Sequence, residues 1–256
     1  MTWLDPNNLR KTSIKRAKIV CLVPSLTELL LDGGLLGQVV GRTKFCVHPK
    51  KLIKTIPVVG GTKNVNTQKL FSLQPDLVIA NKEENTQSDI EVISQYVPVY
   101  LTDIKTLDDI IVCIKELMVY IPEFKGADIV NEIKGLSIDG IFSSEKVAYL
   151  IWNDPIMAVG NDTFIHYLLT KAGLKNVFSE INRYPEVSQR DLIDKNPDYL
   201  FLSSEPYPFK AGHLKHYEEI LPHTKVILVD GEMFSWYGTR ILKAPDYFLQ
   251  LKKTLC

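Results

Sequence analysis

Residues 65–80, VNTQKLFSLQPDLVIA, and residues 187–202, VSQRDLIDKNPDYLFL, follow one pattern at identical internal spacing. Val65 matches Val187, Leu70 matches Leu192, and Pro75-Asp76 matches Pro197-Asp198. In each copy a valine-led entry segment starts a short helix. Proline then ends it, because proline disfavours helical geometry in the residue before it. The aspartate opens an apolar run of the length and composition of a buried strand. A chain that builds this device twice, far apart, is constrained towards two similar α/β halves.

The flanking runs agree. AKIVCLV (17–23) reads as a strand, and PSLTELLLDGGL as a turn and helix capped by Ser25 or Thr27 and stopped by Gly33-Gly34. QVVGRT (38–43) and IPVVGGT (56–62) read as short strands, SDIEVISQY as a helix and VPVYL as a strand. Such alternation argues for a parallel sheet covered on both faces. From Thr106 to about Gly135 the apolar residues fall at helical spacing, with Pro122 expected to kink or divide the run. Roughly 30 helical residues would reach about 45 Å. Strand–helix alternation then restarts with VAYLIW (147–152), a helix around DTFIHYLLTKAG, the second copy and its strand DYLFLSS, a helix around LKHYEEIL, the strand KVILVDG and a terminal helix from Arg240.

The expected domains are an α/β lobe over 1–103, a helical connector over 104–137 and a second α/β lobe over 138–256. Ligands of open parallel sheets sit beyond the carboxyl ends of the strands, so two facing lobes would share one cleft. The alternative is one continuous doubly wound sheet with accidental similarity between its parts.

Composition narrows the function classes. Thirty basic and thirty acidic residues cancel, which lacks the basic excess of a nucleic-acid binder. No stretch approaches the ~18 uncharged apolar residues of a membrane span. The N-terminal segment carries charge but no apolar core of a signal peptide, so the chain as written is expected in the cytoplasm, or in the periplasm if its start is trimmed. The cysteines Cys21, Cys46, Cys113 and Cys256 form no CxxC pair. Cys21 and Cys113 read as small buried hydrophobes, which fits a reducing compartment. No GxxxxGK[ST] or GxGxxG loop is present, which argues against nucleotide-dependent chemistry.

Four blocks carry a likeness to a known family. IVCLVPSLTELLLDGG, GRTKFCVHP, VN…L…L…PDLVIA and EVS…L…NPDYLFLSS together resemble the helical-backbone class of periplasmic substrate-binding proteins of ABC importers. These receptors take vitamin B12, ferric siderophores, haem or metals, and the vitamin B12-binding proteins resemble this chain most, over about residues 17–252. The resemblance implies two Rossmann-like lobes joined by a long rigid helix, with the ligand between them. It also implies docking to a permease through one glutamate on each lobe. At the matching positions stand Gln68 and Arg190, so docking of that kind is in doubt. A ligand-stacking tryptophan of the B12 receptors is matched by Tyr184.

Residues after strand ends supply the candidate ligand contacts: Ser25, Phe45, Cys46, His48 and Thr62 in the first half, and Trp152, Tyr184, Glu205, Tyr207, Trp236, Tyr237 and Arg240 in the second. The aromatic members offer flat apolar walls with polar tips, suited to a corrin, a porphyrin or catecholate arms. On an extended segment Cys46 and His48 would point the same way and could share a metal, or His48 alone could be an axial ligand to cobalt or iron. A closed zinc site needs four donors, so Glu205 or Glu232 would have to join. A hydrogen-bonded loop histidine is the plainer alternative for His48. His166 reads as a core residue, and His213, His216 and His223 as surface positions.

The expected function is a monomeric binding protein for a cobalt- or iron-containing chelate, a corrinoid first, with a ferric siderophore or haem next. It needs no cofactor of its own and does no chemistry. The alternative is a cytoplasmic enzyme of tetrapyrrole or metal handling, such as a chelatase using His48 with Glu205 or Glu232. A Cys46 nucleophile with His48 as base lacks a third, orienting group.

Overall fold

The computed structural model describes residues 14–255, and the expectations for the N-terminal segment and Cys256 lie outside the described residues. Both copies of the repeated device form as two versions of one construction. The first is helix α2 (Thr67–Ser72) leading into strand β3 (Leu77–Asn81). The second is α7 (Gln189–Lys195) leading into β8 (Tyr199–Ser203). In each, the residue before proline is left-handed, Gln74 at φ 50° and Asn196 at φ 45°, which turns the chain sharply out of the helix.

The aspartates then act on the neighbouring strand. Asp76 Oδ2 accepts the Lys18 N–H at 2.8 Å, and Asp198 Oδ2 accepts the Lys146 N–H at 2.7 Å. Each therefore fastens the start of the strand beside it. Leu70 and Leu192 are fully buried, each within the core of its own half.

In the first half, β1 (Ile19–Cys21), β2 (Val39–Arg42), β3 and β4 (Val99–Thr102) form a parallel sheet in the order β2-β1-β3-β4. Helices α1 (Pro24–Asp32), α2 and α3 (Gln87–Ser94) connect its strands. In the second half, β5 (Lys146–Asn153) pairs in parallel with β8, and β8 with β9 (Lys225–Val229). On the other side of β5 lie β7 (Lys175–Asn176), parallel, and β6 (Ile156–Ala158), antiparallel. Helices α6 (Phe164–Lys171), α7 and α8 (Ala211–Ile220) belong to this half. Two separate sheets, each with a parallel core, replace the single continuous sheet of the alternative reading.

The helical run after Thr106 is divided around Pro122, one of the two outcomes expected for it. Helix α4 (Leu107–Tyr120) has 14 residues and α5 (Ala127–Lys134) has 8, so no single continuous rod forms. Ile121, before the proline, is already non-helical, and the Phe124 ring lies so close to Gly33 that a Cβ there would meet it at 2.1 Å. Glycine at the end of α1 thus makes room for the break between α4 and α5.

By contact, the described residues up to Gly135 form one compact unit together with Tyr237–Arg240; Leu136–Trp236 and the described residues from Ile241 onward form the other. They are called unit 1 and unit 2 below.

Four local expectations need correction. Helix α1 is not capped by Ser25 or Thr27: its N-cap is Val23, with Pro24 in the first turn, and the Thr27 hydroxyl donates back to the Val23 carbonyl at 2.9 Å. Residues 56–62 make only single bridges, Arg42 to Val58 and Gly60 to Val65. Pro57 lacks a donor and Gly60 sits at φ 120°, which ends the ladder. The hairpin strand β6 was not expected. Finally, the terminal helix α10 (Ala244–Leu255) starts later than Arg240, after a short helix α9 (Glu232–Ser235) and a 3-10 turn over Gly238–Lys243. No described helix is long and apolar enough to cross a membrane.

Candidate functional site

In unit 1 the loop after β2 carries three candidates, and the Arg42 guanidinium shapes it. Its Nε donates to the Ile53 carbonyl at 2.9 Å, and one terminal nitrogen donates to the Thr43 and Cys46 carbonyls at 3.0 and 3.2 Å. Tied this way, the loop presents Phe45 with half of its surface exposed, the Lys44 ammonium 5.0 Å from the ring centroid. Phe45 lies beside Gly61, where a Cβ would stand 3.4 Å from the ring.

Cys46 turns the other way. Its sulfur is 3.2 Å from both the Thr27 and Thr43 hydroxyls, and burial pushes its thiol up from the ordinary value. His48 is half-buried on the same loop. Among the described residues no group of three or more His, Cys, Asp or Glu side chains could hold a metal ion.

The remaining strand ends of unit 1 are closed by a polar network. Asn81 donates to Thr102 Oγ1 at 3.0 Å and accepts the Glu83 N–H at 2.8 Å. Asn85 accepts the Asn81 N–H at 2.9 Å and donates to the Thr62 carbonyl at 3.0 Å. Thr62 and Ser25 are both buried. These groups satisfy one another, which is the condition for burying them.

In unit 2 the aromatic candidates gather at the carboxyl ends of β5 and β8. Trp152, 38% exposed, meets Tyr207 edge-on with ring centroids 5.4 Å apart, and its indole N–H donates to the Asp154 carbonyl at 3.0 Å. Tyr207 in turn packs on Phe209 at 4.8 Å and on His213 at 5.4 Å. His213 Nδ1 accepts the Lys210 N–H at 2.9 Å, which leaves Nε2 as the protonated nitrogen of the neutral ring, 3.1 Å from the Tyr207 hydroxyl. The histidine thus fixes the tyrosine that fixes the tryptophan.

Tyr184 is half-buried on the segment that enters the second device. That segment runs beside Gly160, where a Cβ would meet the Ile181 carbonyl oxygen at 2.1 Å. Only glycine lets the two backbones approach so closely.

Glu205, after β8, is a different kind of candidate. Its carboxylate accepts from the Trp236 indole at 2.7 Å and the Ser235 hydroxyl at 3.0 Å. Burial raises its pKa, the two bonds pull it back, and the nearby Glu232 and Asp230 charges add to the rise. Trp236 is only 7% exposed and spends its donor on Glu205.

Tyr237 and Arg240 belong to unit 1, where both are buried. Burial pushes the Tyr237 phenol well above the ordinary tyrosine value. Arg240 makes a two-bond ion pair with Glu28, Nε to Oε2 at 2.7 Å and a terminal nitrogen to Oε1 at 2.6 Å. The structure therefore brings Trp152 and Tyr207 together, pairs Glu205 with Trp236, and places Ser25 beside Tyr237.

Sequence reasoning missed Glu28. The signal was there: an acidic residue directly before the leucine run of PSLTELLLD, on a helix that packs in the core, needs a buried partner. The two positions discussed for permease docking are both exposed; Gln68 lies on α2, and Arg190 on α7 pairs with Asp194 at 3.0 Å.

Known proteins resemble this chain in sequence and in fold. Residues 19–117 match the family model described as periplasmic binding protein. A vitamin B12-binding protein of Pectobacterium carotovorum is 24% identical over 239 residues, 90% of this chain and 86% of the relative. An uncharacterised ABC transporter substrate-binding lipoprotein of Bacillus subtilis is 27% identical, covering 95% of this chain and 82% of the relative.

Among solved structures, the periplasmic vitamin B12-binding protein of Vibrio cholerae superimposes with TM-score 0.79 at 21% identity, over 94% of this chain and 99% of that one. A periplasmic haem-binding protein from Roseiflexus has the same TM-score at 21% identity, over 93% and 97%. The fold is that of these periplasmic binding proteins. The relatives named are binding proteins and not enzymes, so the chelatase alternative finds no support in them, and neither does the cytoplasmic reading.

Proposed function

From a chain whose residues 19–117 match the periplasmic binding protein family, and whose fold is that of its vitamin B12- and haem-binding members, we propose that this protein is a substrate-binding protein for a metal-chelate ligand. A corrinoid is the first candidate, with haem or a ferric siderophore next. The observation that carries the reading is the aromatic group at the strand ends of unit 2. There, Trp152 keeps over a third of its surface exposed while Tyr207, itself packed on Phe209 and His213, meets it edge-on. An exposed, braced indole at the ligand end of a parallel sheet offers a flat apolar face on which a ring ligand can lie. Tyr184, half-buried in the same unit, is the next ring of this group to test.

The protein works outside the cytoplasm in this reading, as the named relatives do, and serves an ABC importer. Gln68 and Arg190 would change the docking chemistry. Arg190 is already paired with Asp194, so its surface offers neither the expected carboxylate nor an unbalanced cation. Any permease contact then rests on other residues of α2 and α7.

The test is a titration of the purified protein with cyanocobalamin, dicyanocobinamide, haemin and a ferric catecholate, followed by ligand absorbance and tryptophan quenching. A saturable one-to-one response to at least one chelate, with no product formed, is expected. Absence of a saturable response to all four, or turnover of a porphyrin when free metal is added, would overturn the reading.

A further inference from the structure

Tyr237–Arg240 is far in sequence from everything it packs on. Its four residues meet Ser25, Glu28, Leu29 and Asp32 of α1, positions related by i, i+3, i+4 and i+7, a single stripe of that helix. Tyr237 lies against Ser25. Gly238 sits at φ 85°, with a hypothetical Cβ 3.1 Å from Leu29 Cβ and 3.3 Å from the Ser25 carbonyl oxygen, so no side chain fits there. Thr239 Oγ1 donates to Asp32, and Arg240 closes on Glu28 with two bonds. Glu28 and Arg240 are both less than a tenth exposed, and neither charge could be left in that setting without the other.

The flanks are held elsewhere. Ser235 and Trp236, just before the segment, bond to Glu205, and Ile241 and Ala244, just after it, are fully buried in unit 2. The chain leaves unit 2 for four residues and returns.

We propose that the stripe on α1 is an internal docking site for Tyr237–Arg240, and that this strap, pinned by Glu28 and Arg240, is an interlock that completes unit 1 from a distant part of the chain. Arg240 is then a positioning residue rather than a ligand contact. Unit 1 is complete only when a segment from near the end of the chain has docked. A buried pair of this kind costs most when one partner is removed and little when both are replaced by apolar groups, which gives the interlock a signature of its own.

The experiment uses the full chain with Arg240→Met, Glu28→Met, the double variant and the milder Thr239→Val. Each is followed by scanning calorimetry and by chymotrypsin cleavage after Trp236 and Tyr237. The wild type should resist cleavage. Arg240→Met should cut at least tenfold faster and melt at a lower temperature. The double variant should recover most of both losses, and Thr239→Val should cut faster by a smaller factor.

If the single variants do not fold, recovery in the double variant and the Thr239→Val cleavage rate decide the matter. Wild-type cleavage rates in every variant, or a double variant as damaged as the sum of the singles, would overturn the interlock. Cobinamide affinity measured on the same samples separates this from the proposed function. An affinity loss in Arg240→Met with unchanged cleavage makes Arg240 a ligand contact and ends the proposal, while failure of all samples to bind leaves the interlock standing.

Discussion

In the first copy of the repeated device Asn66 caps α2 with one bond, to the Lys69 N–H, and Gln68 faces solvent. In the second, Ser188 and Asp191 bond reciprocally, Ser188 Oγ accepting the Asp191 N–H at 3.1 Å and Asp191 accepting the Ser188 N–H at 2.7 Å, while Arg190 stands exposed. What the copies keep is backbone work: a leucine into the core, a left-handed residue before proline, and an aspartate that fastens the adjacent strand. What they vary is the cap chemistry and everything solvent sees. A framework this sparse leaves each unit free to dress its own strand ends. Unit 1 has one exposed phenylalanine over a closed polar network, and unit 2 has a braced cluster of rings.

The comparison breaks most easily at the leucines. Leu70→Ala and Leu192→Ala each remove a fully buried side chain at matched positions and should each cost about 2–5 kcal/mol. Urea unfolding measures both; a cost in one copy less than half that in the other would mean the two devices do not carry equal weight. The caps sharpen the difference. Asn66→Ala and Ser188→Ala should each cost about 1 kcal/mol, with Ser188→Ala the larger because it dismantles a reciprocal pair. Equal values from the same urea series would reduce the second box to ordinary capping.

The smallest effect lies at Glu205. Burial raises its pKa above the ordinary 4.5, so the folded protein holds that proton more firmly than the unfolded chain does. Its contribution to stability is therefore fully present below pH 4.5 and declines as pH rises through the folded value. Glu205→Gln should flatten this part of the stability–pH curve. A curve from pH 4 to 8 with unchanged slope would assign the dependence to other groups.

The fold was legible because its signals are periodic and local. The repeat named both Pro-Asp strand entries, and the apolar spacing named the helical run after Thr106 with Pro122 as the place where it bends or breaks. What escaped reading depended on partners distant in the chain. IPVVGGT has strand composition, but Pro57 and Gly60 leave it too few donors and too much turn to join a ladder. The hairpin strand β6 is only three residues long, below what alternation can reveal. At the site, Trp152 and Tyr207 were readable as rings near strand ends, although β5 runs on through Trp152 to Asn153. Trp236 and Arg240 fit the same rule, and their buried bonds to Glu205 and Glu28 could not be inferred from position alone.

The central claim is that exposed rings at strand ends bind a metal chelate. Equilibrium dialysis of dicyanocobinamide, or of whichever chelate saturates the wild type, against wild type, Trp152→Ala and Tyr207→Ala tests it most directly. The account predicts one site per chain and at least a tenfold weaker site in Trp152→Ala, a loss of about 1.4 kcal/mol or more in a protein that still melts as the wild type does. Undiminished binding in both variants, or none in the wild type, would contradict it.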